Sequence, residues 1–310
     1  MESVQKLTHI EHILKRPDSY VGPVDLNVEP YWVLNGDNSQ FEKNNLKYSP
    51  ALLKIFDEIL VNAVDRNSMH PKHVTSISVA IDKVSGSVTV ENNGPIGGVG
   101  VRMHEKEGIW NPELTFGHLL TSTNYDDSKK RVVGGRNGYG AKLTNIYSSS
   151  FSIVIKDHET KQTYTQKWSN NMTVCEQPKI KKHAGATSSV SITFTPDWKR
   201  FGMPKMDFAI YKIFQKRVWD ANICSTPNCK VKFNGDVLPK QNFDAYAKMH
   251  EGVGEVCSFS NDRWSVCIGP SENGLEQVSF VNGICTTRGG THVDHVASLV
   301  AGGIIEEMAK

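Results

Sequence analysis

The strand-forming segments of this chain come in neighbouring pairs joined by short turns, and this pairing restricts the fold more than any other sequence feature. Val74–Ile81 and Ser87–Glu91 are rich in β-forming residues and flank the turn Asp82–Gly86. Phe151–Lys156 and Thr163–Trp168 form a second such pair. Strand-like runs around a short turn that contains glycine predict an antiparallel hairpin. Hairpins with helices gathered elsewhere favour an α+β two-layer sandwich over a parallel βαβ sheet.

A long helix is predicted directly before the first hairpin. From Pro50 to about Asp65 the apolar residues recur at helical spacing, which places them on one stripe of the helix surface. That stripe contains Leu52, Ile55, Phe56, Ile59 and Ala63. We therefore expect this face of the helix to pack against the sheet.

The pattern changes around Phe201–Lys205, and a second α+β unit is predicted after it. A helix from about Met206 to Asn222 leads to Lys230–Leu238, where Asn234-Gly235 is a strong hairpin signal. Further strands near residues 254–260, 263–268 and 277–284 and a closing helix at 292–310 follow. We expect one domain over residues 1–203 and a second over residues 204–310.

Composition restricts the class of protein. The chain has 310 residues, of which 38% are hydrophobic and 22% charged, as in ordinary folded proteins. It contains no run long enough to span a bilayer and no signal-peptide pattern at its start, so we expect an intracellular protein without a membrane partner. The six cysteines include no CxxC pair, which argues against a zinc site or a disulfide framework.

The net charge of +2 argues against a protein that only binds nucleic acid, although two local basic runs stand out. These runs are Lys129–Arg131 and Lys179–His183. A solvated loop is the usual explanation of such a run, and contact with DNA phosphates is the alternative.

Gly134–Lys142 is rich in glycine and leads into a helix-forming run. Glycine lets backbone N–H groups approach an anion closely, so this segment is a candidate phosphate-binding loop, with a ligand-free turn as the alternative. The Walker A pattern does not fit, because Ala141 separates Gly140 from Lys142.

Lys54, Glu58 and Asn62 are spaced four residues apart and share one face of the predicted helix. They could be a surface Lys–Glu pair beside an ordinary asparagine. An amide among apolar residues is costly without a partner, however, and Asn62 could instead ligate Mg²⁺. Glu58 could then take a proton from a water that attacks a phosphate.

Two more polar segments extend this set. Asn92-Asn93-Gly94 follows a strand directly and could be a turn or a ligand-contacting edge. The loop beginning at Thr121 contains Ser122, Thr123 and Asn124, whose hydroxyl and amide groups could bind ribose and phosphate.

In four segments the chain resembles the ATPase region of eukaryotic-type DNA topoisomerase II, a member of the GHKL superfamily. These are Phe56–Ala63, Asn92–Gly94, Phe116–Asp127 and Gly134–Lys142. Leu14–Gly22 resembles the N-terminal segment of the family, and Ser279–Ile284 with Gly289–Val293 resembles its transducer domain. The resemblance implies a GHKL (Bergerat) ATPase sandwich with an N-terminal strap, followed by part of a transducer domain that is similar to ribosomal protein S5.

The resemblance also implies residue roles. Glu58 would be the general base, Lys54 would help to orient the attacking water, Asn62 would bind Mg²⁺, and Asn92 would face adenine. ATP would further contact Ser122, Thr123, Asn124, Arg136, Asn137, Gly138, Tyr139, Gly140, Ala141 and Lys142. The implied cofactors are ATP and Mg²⁺.

The chain departs from the family pattern at three places. Pro95–Gly100 is about two residues longer than the usual Lys-Gly-Ile-Pro continuation of the family. Val190 stands where relatives have a threonine near adenine, and Val4 stands where many have a tyrosine that reaches the partner subunit. The adenine contacts and the contacts across the dimer are therefore expected to differ here.

The implied function is the ATP-operated gate of a homodimer that captures double-stranded DNA for strand passage. The switch lysine and the DNA-cleaving domains of the family would fall beyond Lys310, so this chain is expected to hydrolyse ATP slowly and not to cut DNA. A GHKL chaperone or mismatch-repair ATPase is the alternative, and a sensor kinase would need an upstream phosphoacceptor histidine. The expected location is the nucleus or, for the enzyme of a large DNA virus, the host replication site and the virion.

Overall fold

A computed structural model describes residues 4–121 and 138–310 of the chain. The helices are α1 (His9–Lys15), α2 (Pro50–Met69), α3 (Asn111–Gly117), α4 (Gly140–Ile146), α5 (Phe208–Cys224), α6 (Phe243–Lys248) and α7 (Thr291–Met308). The strands up to the middle of the chain are β1 (Asn27–Leu34), β2 (Phe41–Tyr48), β3 (Ser76–Asp82), β4 (Ser87–Asn93), β5 (Ser148–Asp157) and β6 (Gln162–Ser169). The remaining strands are β7 (Val174–Cys175), β8 (Lys179–Lys182), β9 (Ser189–Pro196), β10 (Lys230–Phe233), β11 (Asp236–Val237), β12 (Cys257–Ser260), β13 (Ser265–Ile268), β14 (Phe280–Val281) and β15 (Ile284–Cys285).

A large sheet organises the first part of the molecule. Within the described ranges it contains nine strands in the order β11-β10-β3-β4-β9-β5-β6-β7, and β8 also pairs with β6. The predicted hairpins are confirmed as β3–β4 and β5–β6, both antiparallel. Helices α2, α4 and α5 pack on one face of this sheet, so the predicted α+β two-layer architecture is confirmed.

Helix α2 forms where the apolar stripe predicted it. Ser49 caps its first turn by accepting a hydrogen bond from the Leu52 N–H, and Pro50 occupies the position where a missing N–H costs nothing. All members of the apolar stripe are at most 3% exposed. Phe56 stacks on Phe214 of α5 with 4.1 Å between ring centroids, which joins the two longest helices of the first unit.

A hairpin that no sequence pattern predicted lies before Pro50. Strands β1 and β2 pair antiparallel over their full length. The burial of β2 follows no alternation, because its central Lys43, Asn44 and Asn45 are all exposed. A strand is predicted from the alternation of apolar and polar residues, and β2 has no such alternation.

The Asn234-Gly235 turn is present, but its strands belong to the large sheet. Asn234 and Gly235 both have positive φ, of 49° and 95°, and β10 pairs with β11 across them. On its other side, β10 lies parallel to β3, with Val231 opposite Ile77. The first sheet therefore runs past the expected division between residues 203 and 204. We propose a division after Leu238 instead.

The part of the chain after Leu238 is built from small elements. Strands β12–β13 and β14–β15 form two separate two-stranded sheets, and α7 has no buried residue among those described. In the described ranges no helix is both long and apolar enough to cross a membrane.

Candidate active site

Helix α2 carries the first three candidate residues on one face. Lys54 and Glu58 form an ion pair, with side chains that are 44% and 21% exposed. Asn62 lies one turn further along and is half-buried. Within residues 4–121 and 138–310, no group forms a hydrogen bond with the Asn62 amide, so its carbonyl oxygen is available to a ligand.

The start of α4 lies directly against Glu58. A β-carbon built at Gly140 would come 2.9 Å from Cδ of Glu58, so only glycine leaves room for that carboxylate. Thr144 fixes this approach by donating a hydrogen bond of 2.8 Å to the Ile55 carbonyl of α2. The structure thus brings the C-terminal part of the glycine-rich segment and the candidate base together.

Lys142 is buried behind this contact, with 2% exposure. Its Nζ donates to the carbonyl of Thr121 at 2.7 Å and to the carbonyl of Gly138 at 2.5 Å. Burial lowers the pKa of Lys142 to about 8. The ammonium group therefore holds together the backbone on either side of residues 122–137.

Asn92 and Asn93, at the end of β4, have different surroundings. Asn92 is 6% exposed on the side of the sheet that the helices cover, and it lies opposite Val190 in the register of β4 and β9. Asn93 caps the start of β3, because its Oδ1 accepts hydrogen bonds from the N–H groups of Thr75 and Ser76 at 2.9 and 2.8 Å. Of the two asparagines, only Asn92 is placed on the helix side.

The longer segment Pro95–Gly100 is held by Arg66, which no sequence motif predicted. Arg66 of α2 donates a hydrogen bond to the Pro95 carbonyl, and its guanidinium lies 2.8 Å from the position of a β-carbon at Gly97. Gly97 has a φ of 56°, which glycine adopts without strain. Arg66 therefore shapes the loop that follows Asn92.

The predicted ATP-binding residues fall into two groups. Gly138, Tyr139, Gly140, Ala141 and Lys142 are described, and they form the entry and first turn of α4. Ser122, Thr123, Asn124, Arg136 and Asn137 lie outside the described residues.

A buried cluster of charges lies behind the candidate base and was not predicted. Arg217 of α5 pairs through Nε with Asp57, the neighbour of Glu58, and through Nη1 with Asp220, both at 2.8 Å. Lys216 pairs with Asp220 at 2.6 Å and donates to the Tyr246 hydroxyl at 2.8 Å. Burial alone would lower the pKa of Arg217, but the carboxylates beside it raise that pKa well above its ordinary value.

The same cluster contacts the last part of the chain. Nη2 of Arg217 lies 3.5 Å from the Gly283 carbonyl in the turn between β14 and β15. Gly283 has a φ of 77°, and a β-carbon there would come 3.1 Å from Cγ1 of Val64 on α2. Arg217 thus joins the helix of the candidate base to the β14–β15 turn.

Comparison with known proteins identifies the family. None of the protein-family models matches the chain. The solved ATPase region of Saccharomyces cerevisiae topoisomerase II superimposes with a TM-score of 0.94 at 40% identity, covering 99% of this chain and 81% of that one. The chain belongs to the eukaryotic-type DNA topoisomerase II family and corresponds to its ATPase region.

Two further relatives define how much of topoisomerase II is present. The ATPase and transducer domains of topoisomerase II from Balamuthia mandrillaris give a TM-score of 0.91 at 40% identity, covering 98% of this chain and 78% of that one. DNA topoisomerase 2 of Penicillium chrysogenum is 42% identical over 323 residues, which is all of this chain and 20% of that protein. The chain thus spans about one fifth of that curated relative, and its fold is that of the GHKL ATPase and transducer domains.

Proposed function

We propose that this chain binds and hydrolyses ATP at the face of α2 that carries Glu58. The observation that carries the proposal is the contact between Glu58 and Gly140, in a chain that matches the topoisomerase II ATPase region over 99% of its length. A carboxylate against the end of a glycine-rich segment places a proton acceptor beside a backbone that can approach phosphates. Lys54, through its ion pair, holds that carboxylate in place.

Hydrolysis then follows from the placement of Glu58. Its carboxylate accepts a proton from a water molecule while the water oxygen attacks the γ-phosphorus. The bond from that phosphorus to the bridging oxygen breaks, and ADP leaves with the electron pair. Lys142 adds positive charge beside the phosphates, and Asn92 contacts adenine from the end of β4.

Asn62 fits the requirements of a magnesium ligand. Mg²⁺ commonly takes one or two protein oxygens and completes its shell with phosphates and water. Asn62 offers one amide oxygen without a protein partner among the described residues, and those residues contain no cluster of three acidic, histidine or cysteine side chains that could hold a metal. When bound, the ion neutralises charge on the β- and γ-phosphate oxygens.

The remaining contacts are proposed from the family resemblance. Ser122, Thr123 and Asn124 bind ribose or phosphate, and Arg136 to Ala141 surround the triphosphate together with Lys142. In the complete protein, ATP binding brings two copies of the chain together around a DNA duplex for strand passage, and other domains cut the DNA. The proposed location is the nucleus, or the host replication site if the protein is viral.

The test compares Glu58→Gln with the unaltered chain. We expect ATP turnover to fall at least about 100-fold, as for loss of a general base, while nucleotide affinity changes little. Glu159→Gln is the matched control, because Glu159 is an exposed glutamate on the turn after β5 and has no proposed role in catalysis. Equal turnover by Glu58→Gln and the unaltered chain would overturn the proposed base.

A further inference from the structure

One basic run of the sequence is not used by the ATP site, and the structure places it at the edge of the large sheet. Strand β8, Lys179–Lys182, is exposed at every position and pairs with Gln162–Thr165 of β6. In this register Lys179 lies opposite Thr165, and Lys181 lies opposite Thr163. Directly opposed residues of antiparallel strands project from the same face.

The positive charge continues from this edge into the sheet. Lys156 of β5 also lies opposite Thr163, so Lys156, Thr163 and Lys181 form one row across three strands. Lys167 of β6 projects from the same face, because the alternate residues Tyr164 and Trp168 are buried in the core. Lys161 adds a charge in the turn before β6. Lys182 lies opposite Gln162 and projects from the other face. We call the remaining residues the basic face: Lys156, Lys161, Lys167, Lys179 and Lys181.

One exposed acid, Glu176, lies three residues before Lys179, but it forms no ion pair in the part of the chain that the structure describes. None of the ion pairs between described residues includes a lysine of the basic face. The two nearest acids in sequence are engaged elsewhere. Glu159 pairs with Arg102 at 3.1 Å, and the carboxylate of Asp157 is 2% exposed and accepts the Val101 N–H at 2.9 Å.

Protection of a sheet edge does not account for this arrangement. Lysines on an edge strand block pairing with other chains. Lys156, however, lies on β5, an interior strand between β9 and β6.

We propose that the basic face binds the phosphate backbone of duplex DNA, independently of the ATP site. The lysines are spread over a flat surface, with about 7 Å between Lys179 and Lys181 along the strand and about 10 Å between Lys156 and Lys181 across it. A flat array of this kind fits the outside of a duplex and reads no bases. The inference rests on the proposed function, in which duplex DNA is the substrate.

The test measures binding of a fluorescently labelled DNA duplex by anisotropy, at several salt concentrations between about 50 and 200 mM. The variant Lys156→Ala/Lys179→Ala/Lys181→Ala should lose at least tenfold in affinity and reduce the salt slope by about 2 to 3, since each lost phosphate contact removes about 0.9. The control Lys47→Ala/Lys72→Ala/Lys106→Ala removes the same charge from three scattered exposed positions. It should leave the slope unchanged.

Each other outcome has a definite meaning. Equal losses in the two triple variants would show an effect of net charge alone and would overturn the proposal, as would absence of duplex binding by the unaltered chain. If the basic-face triple variant lost binding to polyglutamate but kept the salt slope of duplex binding, the face would be assigned to an acidic protein instead, which would overturn the proposal. ATP turnover measured without DNA should be equal in both triple variants, so failure of the proposed base Glu58 remains distinguishable from failure of the basic face.

Discussion

The burial of Lys142 makes a quantitative prediction about nucleotide binding. Its pKa in the free protein is about 8, because burial disfavours the charged form. Bound triphosphate would favour the ammonium and raise that pKa again. Binding must therefore supply a proton to Lys142 whenever the free protein has lost it, and the apparent affinity must fall as the pH rises.

The size of the effect follows from the pKa. Protonated Lys142 would make up about nine tenths of the free protein at about pH 7 and about one tenth at about pH 9, for a pKa near 8. Nucleotide affinity should therefore weaken about tenfold over this range, equivalent to about 1.4 kcal/mol. Below about pH 7 the affinity should depend little on Lys142.

The assay is isothermal titration with a non-hydrolysable ATP analogue and excess Mg²⁺ across this pH range. Lys142→Met should bind weakly at all pH values and lose the pH-dependent step, since the titrating group is gone. Lys199→Met, which removes an exposed lysine far along the chain, should keep the step. An equal pH dependence in Lys142→Met and the unaltered chain would refute the assignment of the titration to Lys142.

Three further perturbations test other parts of the structure. Gly140→Ala should lower ATP turnover at least about tenfold while preserving the melting temperature, because the added methyl displaces the flexible Glu58 carboxylate without disturbing the helix; a normal turnover would contradict the contact. Arg217→Met should lower the free energy of unfolding in urea by about 3 to 5 kcal/mol, since it leaves Asp57 without its buried cation; a change near zero would contradict this account. Burial lowers the pKa of His250 to about 4. Below about pH 6.5 the unfolded chain therefore binds a proton at this histidine that the folded chain does not bind, and the free energy of unfolding should fall by about 3 kcal/mol between about pH 6.5 and pH 4. His250→Phe should show a flatter urea-denaturation profile over that pH range.

Local periodicity accounts for the features that the sequence could predict. The helix α2 and its buried stripe, the hairpins β3–β4 and β5–β6, and the Asn234-Gly235 turn all depend on residues close together in the chain. The family motifs added the candidate roles of Glu58 and Asn62, which stay predictions until variants are measured. In each case the signal lies within a few residues.

The features that the sequence could not predict join distant residues. Arg217 and Asp57 each look like ordinary helix charges, and only the packing of α5 on α2 pairs them. The Asn234-Gly235 signal predicted that β10 pairs with β11, but nothing in the sequence predicted that β10 also pairs with β3. Lys142 was expected to face phosphate, and nothing in its sequence context indicates two backbone carbonyls as partners.

The parallel pairing of β10 with β3 has a consequence for synthesis and for the choice of expression boundaries. Strand β3, Ser-Ile-Ser-Val-Ala-Ile-Asp, has a β-prone, nearly uncharged sequence without proline, and β10 covers one of its edges. A nascent chain or a fragment that ends before Lys230 leaves that edge bare, as a template for intermolecular pairing. Fragments that end near residue 203 should therefore precipitate where fragments that end after about residue 240 stay in solution.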